Sequence, residues 1–339
     1  MEKIRIGIIG CGYWGINYVR VFNELPESQV VAVCDRRQER LAEVGKRFPG
    51  LASTTDLQDL LSAKNIDAII VCTEAASHYP IVSECLSANK HVLVEKPMTT
   101  KASDAERLIE LADAKQVVLM IGHTFLYNDG IRKVKTYIMQ GDMGKVYYLY
   151  SRRTNLGPIR QDVSALWDLA PHDISIFNYF LDGSPEWVSA VGARVLGNGR
   201  ADVGFMSLGY PDSVVGHVHT SWADPHKVRE VVVVGSDKRI VFDDLNAQER
   251  VRVFEKGVKR MDPQEGGYGE FQFLMRDGDI IIPNVEASEP LKNECKHFLE
   301  CINLHCQPLT DGKNGLDVVR VMEAVDRSID LRGAPVEVV

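Results

Sequence analysis

Ile4-Arg5-Ile6-Gly7-Ile8-Ile9 is a mostly aliphatic run of strand length that passes without a break into Gly10-Cys11-Gly12-Tyr13-Trp14-Gly15. From Trp14 to Leu25 the apolar period lengthens, and Tyr18, Val21, Phe22 and Leu25 fall on one helical face. Val30 to Cys34 predicts a second strand, with Asp35 at its C-terminal end. A charged amphipathic helix over 36–48 and a short helix over 56–61 follow, then a buried parallel strand at Ala68-Ile69-Ile70-Val71-Cys72. Helix over 77–88, strand over 91–94, helix over 103–114 and strand over 117–121 continue the alternation. Such repetition predicts a parallel sheet covered on both faces, a Rossmann domain over 1–122.

After Gly122 the pattern changes. Residues 129–139 predict a crossing helix and 145–153 an edge-like strand. Trp167-Asp168-Leu169-Ala170-Pro171-His172-Asp173 opens an apolar helix containing Ile174, Ile176, Phe177, Phe180 and Leu181, closed by Gly183. Proline is tolerated in a first helical turn, so this helix is expected to start near Asp168. Strand follows strand from there, over 187–195, 203–208, 214–220, 228–234, 239–242 and 251–254. Val214, Gly216, Val218 and Thr220 alternate against Val215, His217, His219 and Ser221, which marks a polar face. The expectation is an α+β domain over 123–339, built on a large open, mostly antiparallel sheet. Helices over 289–304 and 315–331 close the chain and are free to pack back on the first domain. A large sheet with one uncovered face is a natural oligomer interface, so a homodimer or homotetramer is expected.

Composition narrows the function. At 339 residues the chain is long for one core and comfortable for two. A net charge of −8 argues against nucleic acid as a partner. No apolar run is long enough to cross a bilayer, so no membrane partner is expected. A strand that begins at Ile4 leaves no room for a signal peptide, and seven scattered cysteines suit a reducing cytoplasm. Cys295, His297, Cys301, His305 and Cys306 raise the question of zinc. Cys295 also belongs to an apolar stripe with Leu291, Phe298 and Ile302, the others lack paired C-x-x-C spacing, and no metal is expected.

The candidate chemistry lies at the strand ends, where open parallel sheets bind ligands. Gly10 turns the chain off the strand, Gly12 lets a pyrophosphate approach the backbone, and Gly15 lets the helix pack closely. The helix N-terminus, with Tyr13 and Trp14, presents free N–H groups to phosphate. Asp35 can accept from both ribose hydroxyls and favours NAD, whereas Arg36 and Arg37 beside it could hold the 2′-phosphate of NADP. The alternative is a glycine-rich turn that binds nothing.

Glu95-Lys96-Pro97 stands at another strand end, where Lys96 can steady negative charge on a substrate oxygen. Alternatively, Glu95 and Lys96 are a surface ion pair. Asp168 and His172, four apart on one helix face, suit an imidazole oriented for proton transfer. Equally, Asp168 is an N-cap and His172 a core histidine. Arg152, Arg153 and Arg160, with Asn155, could hold a diphosphate, or could be solvated surface groups. Tyr127 and Asn128 are further candidates for sugar contact.

Together the nucleotide fingerprint, Glu95-Lys96-Pro97 and Asp168-x-x-x-His172 resemble the glucose–fructose oxidoreductase/inositol dehydrogenase (Gfo/Idh/MocA) family over essentially the whole chain. The resemblance implies that Lys96 and His172 flank the sugar carbon undergoing hydride transfer and that Asp168 is a further polar contact. It also implies that Thr73 and His78 line the nicotinamide and that Pro97 is cis. Ser164-Ala165-Leu166-Trp167 stands where members often have a glycine run. Gly-Tyr-Trp-Gly and Trp-Asp-Leu-Ala-Pro-His-Asp resemble the branch that oxidises the 3-hydroxyl of nucleotide sugars, such as UDP-N-acetylglucosamine or its uronate. The alternatives are a free-sugar or inositol dehydrogenase or ketosugar reductase and, in another class, a non-catalytic nucleotide-sensing co-regulator.

Overall fold

The structure, a computed structural model, describes residues 2–157, 159, 160, 162–197, 199–260 and 273–339. The chain forms two compact units, Met1–Tyr127 with Ser288–Glu323, and Asn128–Ala287 with Ala324–Val339.

The first unit alternates β1 (Ile4–Ile9), α1 (Tyr13–Glu24), β2 (Ser28–Cys34), α2 (Gln38–Arg47), β3 (Ala52–Thr54), α3 (Leu57–Ser62) and β4 (Ala68–Val71). It continues through α4 (His78–Ser87), β5 (His91–Glu95), α5 (Ala102–Lys115) and β6 (Leu119–Gly122). The six strands are parallel in the order β3-β2-β1-β4-β5-β6. Strand order reverses between β1 and β4, which opens a crevice at their C-terminal ends. Ile6, Ile8, Ile69, Ile70, Leu93 and Val94 have no exposed surface. Each such side chain contributes about 1.5–3 kcal/mol by leaving water. Strand β3, short and polar, carries too few apolar residues to be visible in the sequence pattern.

The second unit begins with α6 (Asp129–Met139), β7 (Val146–Thr154) and α7 (Ala165–Leu181), followed by β8 (Trp187–Ala193), β9 (Val203–Gly209) and β10 (Val215–Ser221). Next come β11 (Val228–Gly235), β12 (Arg239–Asp243), β13 (Val251–Phe254), β14 (Gly257–Arg260), β15 (Phe273–Arg276) and β16 (Ile280–Ile281). Helix α8 (Pro290–Leu304) lies in the first unit, α9 (Gly312–Asp330) runs from the first into the second, and β17 (Val336–Glu337) ends the chain. The large sheet is ordered β16-β13-β12-β11-β7-β10-β9-β8-β17 and is antiparallel except where β7 pairs with β10.

Two expectations are corrected here. Strand β7 is central rather than at an edge, because β11 pairs with one side and β10, reached by a crossover, with the other. Helix α7 starts at Ala165, where the Ser164 hydroxyl accepts from Trp167 N, so Pro171 lies inside the helix. That costs the Trp167 carbonyl its usual partner. Helix α7 packs flush on the sheet: a Cβ at Gly216 would stand 2.8 Å from the Phe177 ring. Along β10, Gly216, Val218 and Thr220 are buried while Val215 and His217 are exposed, the expected alternation, but Ser221, expected on the polar face, is buried with its hydroxyl accepting from Ala223 N.

Candidate active site

In the first unit the crevice begins where β1 ends. Gly10 has φ +90°, and a Cβ there would stand 2.7 Å from the Cys72 carbonyl oxygen at the end of β4. At Gly15 a Cβ would overlap the Gly10 carbonyl oxygen. Gly12 differs: its φ of −74° suits any residue, and a Cβ would meet nothing within 4 Å. Nothing among the described residues calls for glycine at this position, whereas a pyrophosphate lying on the backbone would. No side chain caps the N-terminus of α1, and no acid occupies its first turn. Its positive end and N–H groups therefore suit phosphate. Tyr13 and Trp14 stand exposed beside it, ring edge to ring face with centroids 5.5 Å apart.

Asp35 is buried at the end of β2. Its carboxylate accepts from Cys11 N at 2.8 Å and from Arg37 N at 2.9 Å, with Arg37 Nε at 3.3 Å. Burial pushes this carboxyl up, but the bonds from Arg37 and Cys11 outweigh it and hold its pKa below the ordinary value. The acid is thus ionised and tied to the fingerprint loop. Arg36 is exposed. These features fit NAD: Gly12 and α1 would hold its pyrophosphate and Asp35 its adenosine ribose.

The turns after β4 and β5 are joined by His78. Its Nδ1 lies 2.8 Å from the Pro97 carbonyl oxygen and its Nε2 3.1 Å from the Thr73 carbonyl oxygen. Both partners only accept, so a neutral ring supplies one of the two N–H groups and a protonated ring both. The Ser77 and Thr73 hydroxyls lie 2.8 Å apart, and Ser77 donates to the Glu74 carbonyl at 2.7 Å. Glu95 and Lys96 are both buried, and the Lys96–Pro97 peptide is cis. A surface ion pair is therefore the wrong description of Glu95 and Lys96.

His123, directly after β6, is 1% exposed, and among the described residues neither ring nitrogen has a hydrogen-bond partner. Burial, and then the Lys96 charge, push its pKa down to about 3, so it stays neutral. His123 was not among the sequence candidates, although the strand-end rule that marked Lys96 also covers it. Tyr127 is fully buried with its hydroxyl 3.2 Å from Thr310 Oγ1.

In the second unit, Asp168 and His172 lie one turn apart in α7. Arg160 forms a fork to Asp162, at 2.9 and 2.6 Å, and reaches Asp168 Oδ1 at 3.2 Å. His172 is half-buried, and its carbonyl accepts from Ser175 Oγ at 2.8 Å. Arg153 makes a buried bidentate pair with Asp173, both bonds 2.9 Å. Asn155 is half-buried and Arg152 exposed. Asn128 is buried, caps α6 through Gly130 N at 2.9 Å and donates to Asp244 at 3.2 Å. Asp173→Ala is expected to destabilise the protein by about 3–5 kcal/mol, because it removes the bidentate carboxylate partner of the buried Arg153 charge. Urea unfolding checks this; an unchanged midpoint would count against a structural role for the pair.

Comparison with known proteins decides what this arrangement belongs to. Residues 4–123 match the oxidoreductase family with an NAD-binding Rossmann fold, and residues 131–241 match the GFO/IDH/MocA C-terminal domain. The chain belongs to the GFO/IDH/MocA oxidoreductase family. As a member it is an NAD-dependent oxidoreductase. It is 26% identical to myo-inositol 2-dehydrogenase of Thermotoga maritima, across 85% of this chain and 90% of that one. It is also 26% identical to UDP-N-acetylglucosamine 3-dehydrogenase of Acidithiobacillus ferrooxidans, across 94% and 95%. The fold of GenD2 from gentamicin A biosynthesis, solved with NAD, superposes with a TM-score of 0.84 at 22% identity, covering 99% of this chain and 97% of that one. No helix among the described residues is long and apolar enough to cross a membrane.

Proposed function

We propose that this family member transfers hydride between NAD and a sugar carbinol, and that its substrate is a nucleotide sugar oxidised at the 3-hydroxyl. The observation that carries the reading is Glu95-Lys96-Pro97 at the end of β5, in the unit that has the NAD fingerprint. Retention of Asp168-x-x-x-His172 supports catalysis rather than sensing. Likeness to the UDP-N-acetylglucosamine enzyme over nearly the whole chain supports the nucleotide-sugar branch, as do Gly12-Tyr13-Trp14-Gly15 and the Trp167–Asp173 segment. The likeness to myo-inositol 2-dehydrogenase keeps a free polyol as the second reading.

Bound NAD supplies the hydride acceptor. His172 takes the proton of the reacting hydroxyl, and Asp168 is a further polar contact to the sugar. The Lys96 ammonium lowers the energy of the negative charge that grows on that oxygen. In ketone reduction the same two groups donate. Thr73 and His78 fix the turns around Lys96, while Asp35 selects the cofactor. Arg160, and Asn155 near it in sequence, are the groups proposed for a diphosphate. The active protein is a homo-oligomer.

Two measurements test the reading. A panel of UDP-sugars against free sugars and inositols, followed by NADH absorbance, is expected to give turnover with the UDP-sugars; turnover with inositols alone would establish the second reading. Asp35→Ser is expected to move the kcat/KM preference from NAD toward NADP by about 10- to 100-fold, the worth of a hydrogen bond to a charged group. An unmoved ratio would remove Asp35 from the ribose site.

A further inference from the structure

Behind the Glu95–Lys96 turn lies a buried cluster that the mechanism above does not use. The Tyr18 hydroxyl, on α1, is 2.7 Å from Glu294 Oε1, on α8, and 3.1 Å from Glu95 Oε1, at the end of β5. Tyr18 and Glu294 have no exposed surface, and Glu95 is 6% exposed. The other Glu95 oxygen accepts from Lys96 N at 3.2 Å.

A phenol has one proton to give. Two ionised carboxylates meeting one hydroxyl oxygen would leave one contact as two bare lone pairs, with two negative charges in a dry interior. One carboxyl must therefore bring its own proton. Glu95 accepts the Lys96 N–H, a hydrogen bond that favours its charged form. Among the described residues Glu294 faces no cation. Around it stand Tyr18 on α1, Glu95 on β5, Cys72 after β4, Cys295 on α8 and Thr124 after β6. Burial raises the Cys72, Cys295 and Tyr18 pKa values well above their ordinary ranges. Glu289, farther along on the surface, is paired with Arg20.

We propose that Glu294 holds a proton at neutral pH and donates it to Tyr18, which in turn donates to Glu95, and that this relay positions the Glu95–Lys96 turn for catalysis. Tyr18 and Glu294 are positioning residues, acting through Glu95.

Burial, and then the Glu95 charge, raise the Glu294 pKa to about 8, in keeping with this assignment. The raised value fixes the sign of the linkage. Stability from the neutral carboxyl is fully present below the unfolded pKa of about 4.3 and is lost as pH rises through the folded value near 8. Alkali then places two charges in the cluster and disturbs the turn that carries Lys96.

The test uses the full chain as wild type, Glu294→Gln and Glu294→Ala. Infrared spectra across the neutral and alkaline range are expected to show a protonated-carboxyl stretch in the wild type at pH 7. That band is expected to fade with a midpoint near the folded pKa and to be absent from Glu294→Gln. In turnover, Glu294→Gln, which keeps a neutral donor, is expected to hold kcat at pH 7 and lose the wild type's alkaline decline. Glu294→Ala is expected to lose about tenfold in kcat, one missing hydrogen bond to the charged relay, with NAD affinity kept. A wild type without the neutral-pH band, or with one that Glu294→Gln retains, would overturn the protonation. Equal loss of kcat in both variants would overturn the positioning role. The kinetic arm rests on the catalytic reading of Lys96, but the infrared arm does not. A protein inactive on every sugar would thus defeat that reading while the band still decided the relay.

Discussion

Lys96→Ala is expected to lower kcat by about 10²- to 10³-fold, the usual cost of removing one donor from a developing oxyanion, with affinity for NAD kept. His172→Ala is expected to cost about 10²- to 10⁴-fold, the range for a general base. The two losses fall on kcat rather than on cofactor affinity because both groups are proposed to act on the substrate oxygen. Stopped-flow NADH formation and fluorescence titration of NAD separate the two quantities. If neither substitution slows turnover of the true substrate, the catalytic assignment is wrong. If both abolish NAD binding instead, the residues serve the fold or the cofactor rather than the chemistry. Lys96 is buried beside the neutral His123, so the alanine variant also leaves space in a dry site. Lys96→Met fills that space without the charge, and it is expected to be as slow as the alanine variant.

The second large effect separates two glycines three residues apart. Gly15→Ala places a methyl against the Gly10 carbonyl oxygen, which belongs to the backbone and cannot swing away. A cost of about 3–5 kcal/mol is expected, lowering Tm by on the order of 10 °C, and NAD binding fails with the loop. Gly12→Ala places its methyl in open space at an ordinary φ, so Tm is expected to stay where it was. NAD affinity is nevertheless expected to fall about tenfold or more, because the methyl stands where the pyrophosphate must approach. Calorimetry and NAD titration on the same samples read both. A Gly12→Ala variant that binds NAD like the wild type would remove the pyrophosphate from this loop.

Much of the fold was legible because burial imposes a period on the sequence. Buried parallel strands such as Ile4–Ile9 and Ala68–Val71 must be apolar nearly throughout, and α6 shows its amphipathic face at the expected bounds. The half-covered sheet must alternate, as β10 does. Short polar β3 and two-residue β16 and β17 bury too little to mark the sequence. Pro171 misled the start of α7, because proline reads locally as a first-turn residue, while the Ser164 cap and packing of the helix on the sheet hold one turn more.

The candidate site divides in the same way. Gly10, Gly12, Gly15, Asp35, Lys96 and His172 could be marked from sequence, since their chemistry depends on residue type at a fixed distance from a strand or helix end. Sequence alone therefore determined the parallel sheet, the nucleotide fingerprint and the order of the residues that carry charge. Tertiary structure decided which charges meet. It paired Arg153 with Asp173 and Arg160 with Asp162 and Asp168, and it centred β7 in its sheet. It also brought Glu294 to Tyr18 and Glu95 across most of the chain's length. An acid on the apolar stripe of a helix reads in sequence as a defect in the pattern. Its protonation depends on the dielectric and the neighbouring charges, and those exist only once distant segments have packed.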